Sequence, residues 1–257
     1  MAEAGKERVL AVIPARFAST RFPGKVIAPL AGRPLVYHTY LRTCEAALVS
    51  EVVVATDDAK VRAALEPLKV PVVMTRADHP SGTDRIAEVA ETHRADIIVN
   101  VQGDEPLIDP HTIDEAIQAL LDNPEVPMST ARRAISDRAE IADPNIVKVV
   151  CDKNGRALYF SRHSIPYIRD ARPGEEPIGC RWQHIGLYVY RRDFLIEYAR
   201  WPQTPLEQLE KLEQLRVLEH GYPIAVVNTS YRSIGVDTPE DLERVRTMLE
   251  GALEGAG

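Results

Sequence analysis

The chain has 257 residues, a formal net charge of -7, and 31 Lys and Arg against 38 Asp and Glu. That length buries a substantial core as one large domain or two small ones, and we expect one. The acidic balance excludes the general basic field needed for non-specific nucleic-acid binding, so any polyanion is bound locally. Cys44, Cys151 and Cys180 are widely separated and make neither a disulfide framework nor a zinc pattern, which leaves ordinary reduced thiols. Met1 to Arg8 mixes charges and lacks the long apolar core of a secretory signal, and no apolar run is long enough to span a bilayer. The expectation is a cytoplasmic protein with frayed ends at Met1 to Glu7 and Gly251 to Gly257.

Short β-branched runs alternate with segments of helical period through the first half. Val9 to Ile13 precedes Leu35 to Leu48, Val52 to Ala55 precedes Asp58 to Leu65, and Val70 to Met74 precedes Asp84 to His93. Ile97 to Val101 then precedes Ile113 to Leu121. This alternation predicts an α/β fold, a Rossmann-like and mostly parallel sheet flanked by helices. After Pro127 the rhythm changes, and Met128 to Ala134, Ile146 to Val150, Ala157 to Ser161 and Ile185 to Tyr190 read as strands that add antiparallel pairs. Asp152-Lys153-Asn154-Gly155 reads as a hairpin turn, with Asn154-Gly155 supplying the positive φ angles of a primed turn.

One helix is expected from Pro205 to His220, and a last one at Asp241 to Leu249. Thr238-Pro239-Glu240-Asp241 spells its start, with Thr238 as N-cap and Asp241 completing a capping box. Leu206, Leu209, Leu212, Leu215 and Leu218 recur every third residue. At roughly 3.6 residues per turn such a stripe drifts by about 60° per step and wraps around the helix. A helix buried on several sides, or one packed on a second subunit, would need that.

In open sheets of this kind ligands bind beyond the carboxyl ends of the strands. The first strand ends in a loop carrying Arg16, Arg21 and Lys25, three cations that gain most from a polyanion placed between them. It is not a P-loop, because Val26 follows Lys25 and Ser19 stands where the first glycine belongs. The fourth strand ends in Gln102-Gly103-Asp104-Glu105, where Gly103 permits a sharp turn and places carboxylates at the same sheet edge. Asp237 is a further strand-end carboxylate. Two such aspartates can hold Mg2+ against a triphosphate, and each can equally be a helix-capping acid. Between them, Arg76 and the Ser81-Gly82 turn suit a pyrimidine edge, while Ser81-Gly82-Thr83-Asp84 reads equally well as an N-cap.

Taken with Val99 to Pro106, Tyr159 to Arg162, His184 to Tyr188, Leu212 to Arg216 and Gly235 to Leu242, the Ile13 to Lys25 and Thr75 to Thr83 segments resemble the 3-deoxy-manno-octulosonate (Kdo) cytidylyltransferases, the CMP-Kdo synthetases of Gram-negative bacteria. The matching motifs run in family order over nearly the whole chain. The resemblance implies transfer of CMP from CTP to Kdo with release of pyrophosphate, activation of Kdo for lipopolysaccharide, a magnesium requirement and a homodimer. It also implies a single cytidylyltransferase domain, with a CTP-binding part over residues 8–125 and a sugar-binding and dimerisation part over residues 126–250. Carried onto matching positions, Arg16, Arg21 and Lys25 bind the triphosphate, while Arg76, Ser81, Gly82 and Gln102 place the cytidine. Asp104 and Asp237 hold metal, and Arg162, His184, Tyr188, Glu213 and Gln214, with Gln102 shared, form the acidic-sugar pocket. Arg162 suits the sugar carboxylate as a bidentate partner, and His184, Glu213 and Gln214 suit its hydroxyls. An amino analogue of Kdo and a sialic-type acid are the alternative substrates. A non-catalytic nucleotide-binding protein on the same fold is the alternative class.

Overall fold

The computed structural model describes residues 7–18, 22–172, 177–232 and 234–254. Arg21, with Ser19 and Thr20, lies outside the described residues. Two compact units divide the chain: one holds the described residues up to Asp114 and those from Ile234 onward, the other Glu115–Arg232. The C-terminal segment belongs with the first unit.

The first unit runs β1 (Val9–Pro14), β2 (Pro29–Leu30), β3 (Arg33–Pro34), α1 (Leu35–Cys44), β4 (Glu51–Thr56), α2 (Ala59–Leu65), β5 (Val72–Met74), α3 (Gly82–Thr92) and β6 (Ile97–Asn100). β1 pairs in parallel with β4 on one side and β6 on the other, and β5 adds in parallel to β4. Val9 through Ile13 and Ile97 through Val99 are all buried, as unbroken apolar runs covered on both faces require. Helix starts are written locally. Asp58 accepts the Lys60 N–H at 2.7 Å to open α2, and α4 (Pro110–Asp122) opens where Asp109 accepts the Thr112 N–H at 3.1 Å.

The second unit contains β7 (Met128–Ala134), α5 (Arg138–Ala142), β8 (Lys148–Cys151), β9 (Ala157–Ser161), β10 (Trp182–Arg191), α6 (Arg192–Tyr198), α7 (Pro205–Glu210), α8 (Gln214–Glu219) and β11 (Ile224–Asn228). β7 pairs in parallel with β11 and antiparallel with β10, and β8 pairs antiparallel with β10 and β9. The antiparallel additions stand where the sequence places them. α5, α6 and β11 carry no expectation above.

Two local expectations are corrected. In the β8–β9 hairpin only Gly155 takes a positive φ, at 75°, and Asn154 does not. Asp152 Oδ1 accepts the N–H groups of Asn154 and Arg156, both at 2.8 Å, which is an Asx-type turn closed by a left-handed glycine rather than a primed turn. The single helix expected from Pro205 to His220 is two helices, broken at Lys211, whose φ of 54° is left-handed. The leucine stripe breaks with it. Leu212 and Leu215 are buried, whereas Leu209 is 80% exposed. A buried ion pair joins the halves: Arg216 Nε and Nη2 donate to the two Glu207 carboxylate oxygens at 2.7 and 2.5 Å.

The last helix, α9 (Pro239–Glu254), returns to the first unit, where Ile234, Val236, Leu242 and Val245 pack with Leu30 and Leu35. Its capping box forms as expected: the Asp241 N–H donates to Thr238 Oγ1 at 3.2 Å and the Thr238 N–H to Asp241 Oδ2 at 3.1 Å. Because Glu207 is the only carboxylate bonded to the buried Arg216 guanidinium among the described hydrogen bonds, Glu207→Ala should cost about 3–5 kcal/mol. The measurement is the urea midpoint of unfolding. A loss below about 1 kcal/mol would mean that carbonyls and water replace the carboxylate.

Candidate functional site

The site begins where β1 and β6 end. After β6 the chain approaches β1 so closely that a Cβ on residue 103 would lie 2.7 Å from the Pro14 carbonyl oxygen, and only glycine fits. Asp104 follows at once, and its carbonyl accepts the Val236 N–H at 2.9 Å. That backbone bond brings Asp237, one residue further on, to Asp104.

Lys25 completes the group. Gly24, at φ 73°, turns the chain into a short 3-10 helix at Lys25–Ile27, and the Phe17 ring lies 3.2 Å from where its Cβ would be. Lys25 Nζ donates to Asp104 Oδ2 at 2.6 Å and to Asp237 Oδ1 at 2.8 Å. Burial opposes the charge on this ammonium, but Asp104 and then Asp237 outweigh it and hold Lys25 above the usual lysine value.

These side chains border a cleft of about 400 Å³ whose wall includes Arg16, Gly82 and Gln102, a size that suits a small organic ligand. Arg16 Nη2 donates to the His79 carbonyl at 2.6 Å, and its Nε is buried without a hydrogen-bond partner. An orphaned cationic donor beside an ammonium favours an anion. Among the described residues no group of three or more His, Cys, Asp or Glu gathers as a metal site. Two carboxylates that already share one ammonium nevertheless fit a hard cation of the magnesium type, which takes one or two protein carboxylates and completes its shell with phosphate and water.

Three more residues are expected here. Ser81 is the N-cap of α3, with its Oγ and N–H both bonded to Asp84 Oδ2, so its hydroxyl serves the helix. Arg76 is 68% exposed on the strap before α3 and is not part of the cleft wall. Arg21 lies outside the described residues.

In the second unit, His184 on β10 bonds Thr130 Oγ1 at 2.9 Å and sits against the rings of Phe160 and Tyr188. Burial lowers its pKa to about 3, so the ring is neutral. Tyr188 Oη donates to Gln214 Oε1 at 3.3 Å, and Gln214 Nε2 is buried without a partner, a donor available to a hydroxylated ligand. Glu213 is the N-cap residue of α8 and its carbonyl accepts the Tyr198 hydroxyl at 2.8 Å. Arg162 is already engaged. Its Nε, Nη1 and Nη2 donate to the carbonyls of Glu210, Pro144 and Lys211, so it holds the end of α7.

The sequence reading missed the residues behind the strap. Arg85 is fully buried and pairs with Asp57 at 3.1 Å, while Glu88 bonds His79 and the Arg76 N–H. The available signal is their spacing, three apart on one face of α3.

The family described as Cytidylyltransferase matches residues 10–229. A 3-deoxy-manno-octulosonate cytidylyltransferase of Solibacter usitatus is 53% identical, covering 97% of this chain and 98% of that protein. One of Geobacter sulfurreducens is 55% identical, covering 94% and 99%. The solved structure of a CMP:2-keto-3-deoxy-manno-octonic acid synthetase complexed with CTP superposes with a TM-score of 0.89 at 42% identity, covering 95% of this chain and 99% of that one. The mixed sheet flanked by helices is thus a nucleotidyltransferase fold, and the chain belongs to the 3-deoxy-manno-octulosonate cytidylyltransferase family.

Proposed function

We propose that the protein transfers CMP from CTP to the anomeric hydroxyl of Kdo, releasing pyrophosphate and activating Kdo for lipopolysaccharide synthesis. The observation that carries this reading is the convergence of Arg16, Lys25, Asp104 and Asp237 on one cleft. Relatives named for this reaction and a related synthetase in complex with CTP support it.

In this proposal Arg16, Arg21 and Lys25 bind the triphosphate and stabilise the departing pyrophosphate. Arg76, Gly82 and Gln102 place the cytidine, with Ser81 ordering the start of α3. Asp104 and Asp237 hold magnesium, which when bound neutralises phosphate charge and lowers the pKa of the attacking hydroxyl. His184, Tyr188, Glu213 and Gln214 receive the sugar, and Arg162 acts as a positioning residue through its carbonyl contacts. The displacement at the α-phosphorus is in line and rests on positioning and charge neutralisation, so no side chain is assigned as general base. The proposal includes a cytoplasmic homodimer, with the exposed Leu209 and Leu158 as apolar surface for a second copy, read directly by sedimentation of the intact chain.

The test is pyrophosphate release with CTP, magnesium and Kdo, compared with an amino analogue and a sialic-type acid in place of Kdo. Asp104→Asn and Asp237→Asn should each lower kcat/KM by roughly a hundredfold or more while the circular dichroism stays that of the parent. Full magnesium-dependent turnover in either variant would refute the metal assignment.

His184 yields a pH dependence. Its folded pKa of about 3 lies below the unfolded value of about 6.5, so the unfolded chain binds the extra proton between these limits. Its contribution is complete above the unfolded pKa and is lost as pH falls through that window, by at most about 1.4 kcal/mol per pH unit. His184→Gln should therefore flatten the decline in urea midpoint between about pH 6.5 and 4 relative to the parent. Parallel curves for the two proteins would show that the buried ring does not stay neutral.

A further inference from the structure

Thr75 to Pro80 forms a strap between β5 and α3, and α3 grips it at two points one turn apart. Arg85, buried and paired with Asp57, donates Nη1 to Thr75 Oγ1 and, at 3.4 Å, to the Arg76 carbonyl. Glu88 Oε2 accepts the Arg76 N–H at 3.2 Å, bonds His79 Nε2, and lies 3.6 Å from Arg76 Nε. Burial opposes the charge on Glu88, but the His79 bond and Arg76 hold its carboxyl below the ordinary glutamate value. The His79 ring is almost wholly enclosed, at 4% side-chain exposure, and its carbonyl receives Arg16 Nη2 at 2.6 Å. One continuous chain of contacts thus runs from Arg76 through Glu88 and His79 to Arg16.

Arg16 belongs to the loop after β1 and its remaining buried donor, Nε, has no hydrogen-bond partner. Its guanidinium is aimed by a carbonyl of the strap, and the strap is aimed by Glu88. We propose that Glu88 and His79 are positioning residues that couple the base side of the nucleotide site to its phosphate side, by fixing the strap that both carries Arg76 and orients Arg16. The proposal rests on the reading of Arg16 as a triphosphate ligand and deepens it. A nucleotide seated against the strap then finds Arg16 already oriented, which lowers the ordering cost of phosphate binding.

The test is a double-mutant cycle on CTP binding to the intact protein, read by calorimetry with magnesium present. Glu88→Ala should raise the Kd for CTP about tenfold, the scale of one charge-assisted hydrogen bond, and raise KM for CTP similarly while KM for Kdo stays within about twofold. Glu88→Gln, which keeps an acceptor oxygen, should restore the Kd to within about threefold of the parent. In an Arg16→Ala background the loss caused by Glu88→Ala should be at least about threefold smaller than in the parent, because the phosphate-side group it positions is gone and only the Arg76 side remains. Additive losses would overturn the proposal, as would a lower melting temperature with both KM values unmoved. His79→Leu keeps apolar bulk in the same place and decides by the same cycle should Glu88→Ala fail to fold. If the parent protein releases no pyrophosphate from CTP and Kdo, the reaction assignment falls, and the binding cycle still decides the coupling.

Discussion

Two carboxylates brought together need a positive charge between them, and much of the first unit is arranged around that requirement. Asp104 and Lys25 are 79 positions apart in the chain, and Lys25 and Asp237 are 212 apart. At 4 Å and an effective permittivity near 20, two unit charges interact by about 4 kcal/mol, so the sign of each partner matters more than any single packing contact around it. Lys25 supplies the compensating charge, and Gly24, Gly103 and the Val236–Asp104 backbone bond bring the three side chains together. The apolar cluster of Ile234, Val236, Leu242 and Val245 with Leu30 and Leu35 anchors the far end of the chain against the first unit. That burial carries the chain to the place from which Asp237 reaches Lys25.

The legible parts of the sequence were those with a local physical signature. β1, β4 and β6 read directly because unbroken apolar runs mean strands covered on both faces. Thr238 and Asp241 read directly because a capping box is a four-residue pattern. Long-range compensation was not legible. Lys25 reads as a phosphate ligand, yet its contacts with Asp104 and Asp237 depend on chain crossings that no spacing encodes. Arg162 reads as a bidentate partner for a sugar carboxylate, and no spacing shows that its guanidinium donates to the carbonyls of Glu210 and Lys211 at the break between α7 and α8.

The break itself shows why periodicity failed after Pro205. Leu206 to Leu218 at every third residue has no helical face of its own, and the chain resolves the conflict by turning left-handed at Lys211 and starting a second helix. This releases Leu209 to solvent, buries Leu212 and Leu215, and presents Gln214 beside Tyr188. One bidentate pair, Glu207 with Arg216, keeps the two short helices in register. The same turn therefore explains a mistaken helix, an exposed leucine and the placement of a proposed sugar contact.

Helix α3 has an analogous role in the first unit, by different means. Its N-terminal cap engages the Ser81 hydroxyl, which fixes the direction of the first turn and leaves Gly82 at the cleft wall. One turn further on, Arg85 and Glu88 reach back to the strap that carries Arg76 and whose carbonyl orients Arg16. A cap at one end and two charged grips on one face make the strap a rigid extension of the helix rather than a loose loop. The Arg76 side chain is exposed while its backbone N–H and carbonyl are held by α3, which suits the nucleotide contact proposed for it.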